Sequence, residues 1–127
     1  EKEGKFYTWY GSQVHESQVA RLEVSYKGYK YYHKYSTEQI KATKALLLLL
    51  ADKHGIDIQS GLISMLKSST KHGASQYYPI SGNADVFNYN ESACYGKIKG
   101  LLTHGQVRTD KSDVFPQQEL ITMLMSL

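Results

Sequence analysis

The chain has 127 residues, enough for a single hydrophobic core and too few for two. Apolar residues make up 41% and charged residues 21%, which excludes a disordered or collagen-like chain. Fifteen Lys and Arg against 12 Asp and Glu leave a net charge of +3, which is a weak attraction for polyanions and not the dense basic stripe of a dedicated nucleic-acid binder.

The leucine-rich run at residues 46–51 falls far short of the roughly 20 apolar residues of a membrane span, so no span is expected. One cysteine, Cys94, rules out an intrachain disulfide. No N-terminal stretch reads as a signal peptide, and the first residue is Glu1 rather than Met. The aromatic complement is 11 tyrosines, three phenylalanines and one tryptophan, so the core is expected to lean on Leu, Ile and Val.

In chain order, Phe6, Tyr7, Trp9 and Tyr10 lie between Gly4 and Gly11 and read as a short strand. Leu22, Val24 and Tyr26 alternate with Arg21, Glu23 and Ser25, the period-2 pattern of a half-buried strand ended by Lys27-Gly28. Lys27, Lys30 and Lys34 then interleave with Tyr26, Tyr29, Tyr31, Tyr32 and Tyr35. Such a stretch either stacks bases and holds phosphates or is a Tyr-rich strand and turn with solvated lysines. The small number of lysines favours the second, and no nucleic-acid partner is expected.

Ser36 as N-cap and Gln39 three residues on form a capping box, which predicts a helix over residues 37–54 stopped by Gly55. Leucines on nearly every side predict that it is buried on more than one face and packs against a sheet. A short helix is expected around residues 62–66, a long polar loop over 71–90, and a short helix or strand over 93–102. Phe115-Pro116 is expected to open a terminal helix with Leu120, Ile121, Leu124 and Met125 on one face.

Of the five histidines, His15, His33, His54, His72 and His104, only His104 stands in a suggestive setting, and His54 is explained by the dipole of the long helix. After His104 the chain runs through a short turn to Lys111 and Asp113, which would share a face in an extended stretch. Imidazole and carboxylate suit Zn²⁺, and a nearby lysine suits an oxyanion. An exposed loop with Asp113 capping the terminal helix explains the same residues equally well.

Three segments in order resemble the zinc-dependent N-acetylmuramoyl-L-alanine amidase family, which includes the T7-type lysozymes and the peptidoglycan-recognition proteins. His104, Lys111-Ser-Asp113 and Phe115-Pro116 are similar to its late histidine, its Lys-x-Asp pattern and the start of its last helix. Tyr35-Ser-Thr-Glu-Gln-Ile40 and the leucine run ending at Asp52-Lys-His-Gly-Ile56 resemble its long helix, and Ala20-Arg-Leu-Glu23-Val resembles its central strand. The resemblance covers roughly residues 19–58 and 98–127.

The resemblance implies an α/β fold with a mixed central β-sheet and helices packed on its faces. It implies one amidase-like domain over residues 1–127, lacking the family's first strand, with an insertion around residues 67–95. His104 and Asp113 would be two zinc ligands, Glu23 the catalytic base and Lys111 the oxyanion holder. The bond cleaved would join N-acetylmuramic acid to the L-alanine of the stem peptide. Tyr26 and Tyr29 would line the peptidoglycan groove.

The chain departs from the pattern in having Val114-Phe115 after Asp113 in place of Pro-Gly, and Arg21-Leu22 before Glu23 in place of glycine. The family's first ligand is a histidine well upstream of the Glu strand. Here only His15 precedes Glu23, by eight residues, closer than the family's layout, and it is a weak candidate for that ligand. The site is therefore expected to be completed by a preceding segment or another chain. The alternatives are a metal-free module that binds peptidoglycan and a structural component of a virion or cell-wall assembly. The substrate implies action at the cell wall, by secretion, periplasmic export or phage delivery.

Overall fold

The computed structural model describes residues 1–71 and 85–127. Within them two antiparallel hairpins come first and five helices follow, a mixed α/β arrangement. Strand β1 (Phe6–Tyr7) pairs with β2 (Gln13–Val14), Phe6 opposite Val14. The expected strand in the aromatic cluster is thus only two residues long. Trp9 and Tyr10 lie in the turn, and the Trp9 ring is 95% exposed.

Strand β3 (Val19–Tyr26) pairs with β4 (Tyr29–His33), with the turn at Lys27-Gly28 as the sequence predicts. The Tyr-rich stretch is therefore a strand and turn. The alternation is only partly kept. Between the pairs Arg21↔Tyr31 and Tyr26↔Tyr29, β3 carries four residues against Lys30 alone. Such a bulge breaks the period-2 rule. Leu22 and Tyr26 are buried, while Val24 is exposed.

Helix α1 has the predicted bounds, Thr37–His54. Ser36 Oγ accepts from the Gln39 N–H at 3.1 Å, and Gln39 Oε1 accepts from the Ser36 N–H at 2.8 Å. Gly55 closes it in the left-handed conformation, its N–H donating to the Ala51 carbonyl. Its expected burial is overturned: no residue of α1 is buried, and Leu46, Leu48, Leu49 and Leu50 are exposed. The reason is architectural. The described strands form two separate two-stranded hairpins, not one central mixed sheet, so no broad sheet face lies beneath α1. It rests through Ile40 and Leu47 against the core.

Helix α2 (Leu62–Lys71) buries Leu62, Ile63 and Leu66, the i, i+1, i+4 face of an amphipathic helix. A 3₁₀ turn (Asp85–Phe87) delivers Phe87 to the core. Helix α3 (Glu91–Cys94) and helix α4 (His104–Val107) are single turns. Between them the expected helix or strand over 93–102 is absent beyond Cys94, apart from a parallel bridge of Leu101 to Gly61. Residues 72–84, which make up most of the 71–90 loop and less than half of the 67–95 insertion and include His72, lie outside the described residues.

Helix α5 (Gln118–Met125) starts two residues after Pro116. Leu120, Ile121 and Leu124 face inward as expected, joined by Met123, while Met125 is only partly buried. Gln117, 2% exposed, ties α5 to the start of α1: its Oε1 accepts from the Tyr35 N–H at 2.7 Å and its Nε2 donates to the Tyr35 carbonyl at 3.2 Å. The core leans on Leu and Ile, yet aromatics anchor it too. Phe115 stacks between Tyr32 and Tyr35, at 4.5 and 4.7 Å between ring centres. No helix among the described residues is long and apolar enough to cross a membrane.

Candidate active site

The site grows from the short helix α4. Thr103 Oγ1 accepts from the Gln106 N–H at 3.2 Å, and Gln106 Oε1 accepts from the Thr103 N–H at 2.9 Å. This capping box makes His104 the first helical residue. Gln106 is fully buried, and its Nε2 donates to the Val86 carbonyl at 2.8 Å. Its own carbonyl accepts from the Asn90 N–H at 2.8 Å. The backbone that carries His104 is thereby tied to two neighbouring segments, at Val86 and at Asn90.

Gly105 is packed so closely that an added Cβ would collide with Tyr26 Oη and press on the carbonyls of Phe87 and Lys111, at 3.2 and 3.3 Å. Tyr26 Oη donates to the Phe87 carbonyl at 3.0 Å, and Lys27 Nζ donates to the Gly105 carbonyl at 3.2 Å. Hairpin β3–β4 and α4 are therefore joined directly beneath His104.

After α4 the chain loops back. Arg108 forks onto Asp110 at 2.9 and 2.8 Å, and Asp113 returns to His104, with Nδ1 and Oδ2 at 3.2 Å. The reunion of His104 with Asp113 is as the sequence suggests, but the setting differs. His104 opens a helical turn, and residues 108–117 are irregular rather than a strand. The capping alternative for Asp113 fails, because the N-cap of α5 is Gln117. The pair is open to solvent, the side chains being 42% and 69% exposed.

The His104 hydrogen bond holds the Asp113 carboxyl below the usual carboxylate range, helped by its own backbone N–H and the charges of His104 and Lys111. Burial, with the Asp113 charge second, pushes the Tyr26 hydroxyl up to about 12. Burial likewise raises Tyr35, with Asp113 again contributing. Because the folded value of Asp113 is depressed, its contribution to stability is full above the unfolded carboxyl value. It is lost as pH falls through the folded value. In His104→Ala, the Asp113 carboxyl titrates at higher pH than in wild type, read by NMR of its side-chain carbon. An unchanged midpoint would show that the pair does not set it.

The other expected site residues are placed as follows. Lys111 is half-buried and makes no hydrogen bond or ion pair among the described residues, though its charge reaches Asp113. Glu23 is exposed on β3, with no hydrogen bond or ion pair to the His104–Asp113 pair. His15 caps the 3₁₀ turn Glu16–Gln18, its Nδ1 2.8 Å from Ser17 Oγ, and stands outside the pair. Tyr26 is corrected: at 1% exposed, with its hydroxyl bonded, it is a core residue and offers no ring face to a sugar. Tyr29 is 65% exposed at the hairpin turn and keeps such a face. Gln106 and Gly105 were not anticipated. The signal for Gln106 was present in Thr103-x-x-Gln106, a capping box like that at Ser36.

Among the described residues no three His, Cys, Asp or Glu side chains converge as a metal-ligand group. His104 and Asp113 are two donors of a chemistry that suits zinc, one fewer than the three protein ligands a catalytic zinc site uses. The chain matches no known family model, no curated protein and no solved structure.

Proposed function

We propose that this chain carries the late part of the reaction centre of a peptidoglycan hydrolase, an N-acetylmuramoyl-L-alanine amidase. The observation that supports this reading is the 3.2 Å His104–Asp113 pair with Lys111 beside it, in the order the amidase resemblance requires. In this reading His104 and Asp113 are two ligands of a Zn²⁺ ion. The third donor belongs to a segment outside the described residues or to another chain. Zinc, when bound, supplies an acidified water and a polarised carbonyl.

The chain's own groups have distinct tasks. The buried Gln106 and the Gly105–Tyr26 contact fix His104 before substrate arrives. Lys111, with no partner among the described residues, is free to meet the developing oxyanion. Tyr29 offers a ring face to a sugar. Glu23 takes the base role only where a completing segment brings it to the pair. The exposed Tyr29 ring favours a second reading, an amidase-like module that binds muropeptides without cutting them.

Zinc retention and muropeptide cleavage separate the two. The amidase reading expects stoichiometric zinc, release of a new L-alanine amino terminus, and loss of both in His104→Ala. It also expects Lys111→Ala to lower turnover more than zinc affinity. Equal loss of both in Lys111→Ala would sink the oxyanion role. Muropeptide binding without zinc would establish the second reading, and absence of both would remove the two together.

A further inference from the structure

From the exposed face of α1, we infer that the chain pairs with a second copy of itself through this helix, antiparallel about a two-fold axis. A helix that is apolar on most sides is ordinarily covered on most sides. Here only the stripe through Ile40 and Leu47 is covered. On the opposite side Gln39, Ala42, Leu46, Leu49 and Lys53 are all exposed. Their spacing alternates three and four, the seam of a two-helix packing. Beside the seam an apolar groove of about 430 Å³, walled by Val114 and Leu120, runs along Thr43 and Leu46.

Charge and size identify the occupant. An axis beside Leu46 sets Leu46 against Leu46 of the second copy, Ala42 beside Leu49 and Leu50, and Glu38 beside Lys53 and His54. The small side chain meets the large one and the acid meets the base, twice over by symmetry. A parallel pairing would set Glu38 against Glu38 and Lys53 against Lys53. Neither Glu38 nor Lys53 makes an ion pair among the described residues. The seam spans most of an 18-residue helix, about 27 Å long. The self-pairing is independent of the His104–Asp113 pair.

Sedimentation velocity of the full chain over a wide concentration range tests this. Wild type is expected to dimerise, and Leu46→Glu combined with Leu49→Glu to be monomeric with an unchanged circular dichroism spectrum. Glu38→Lys and Lys53→Glu are each expected to weaken the dimer at least tenfold at low salt, and their combination to restore it. A wild-type monomer at every concentration would overturn the inference. So would a dimer indifferent to the leucine substitutions, or dimers that the double charge swap fails to restore. A monomer that instead binds phosphatidylcholine vesicles through these leucines would overturn it too.

Discussion

Replacing Gly61 with alanine is expected to cost about 2–5 kcal/mol of folding stability, the combined effect of left-handed backbone and overpacking. Gly61 has φ 78°, and an added Cβ would strike the Leu101 carbonyl. That carbonyl accepts from the Leu62 N–H at 2.7 Å, and the Leu101 N–H donates to Ser60 at 3.2 Å. The crossing sets the start of α2, with its buried Leu62 and Ile63, against the segment leading to Thr103. Neither backbone can retreat without breaking these bonds. Gly96 is the control: its φ is 69°, and nothing lies within 4 Å of an added Cβ. Gly96→Ala bears the backbone cost alone, about 1–2 kcal/mol. Denaturant unfolding of both variants decides the matter, and equal losses would show that the crossing is not the cause.

The second large effect is expected at Gln106. Gln106→Ala opens a cavity and leaves the Thr103 N–H and the Val86 carbonyl without their side-chain partner. Together these losses come to about 2–5 kcal/mol. The consequence reaches the candidate site, because the lost capping box frees the turn that begins at His104. The Asp113 carboxyl should then titrate at higher pH, as in His104→Ala, although neither member of the pair is changed. Stability by urea titration and the Asp113 midpoint by NMR read the two effects separately. A destabilised protein with an unshifted Asp113 would show that Gln106 supports the fold without positioning His104.

Local chemistry was the legible part. Helix α1 could be bounded to the residue, because Ser36, Gln39 and Gly55 act within one turn of chain. The Lys27-Gly28 turn and the inward face of α5 follow from equally local signals. His104 and Asp113, nine residues apart, could be expected to meet because a short loop limits how far they separate. The site's supports were less legible. Gly105 carries no local mark, since its need is set by Tyr26 from a strand 79 positions earlier in the chain. Thr103 and Gln106 did carry one, the same box that marks α1.

By itself the sequence determined where α1 begins and ends, which face of α5 turns inward, and that an imidazole and a carboxylate lie a short stretch of chain apart. These are set by backbone hydrogen-bond satisfaction, side-chain period and short loop length, all of which act over a few residues. Only the tertiary structure decided that the leucines of α1 stand in solvent, that Tyr26 is core while Tyr29 is open, and that Glu23 and His15 lie apart from the pair. Burial depends on what covers a residue, and that cover comes from parts of the chain remote in sequence.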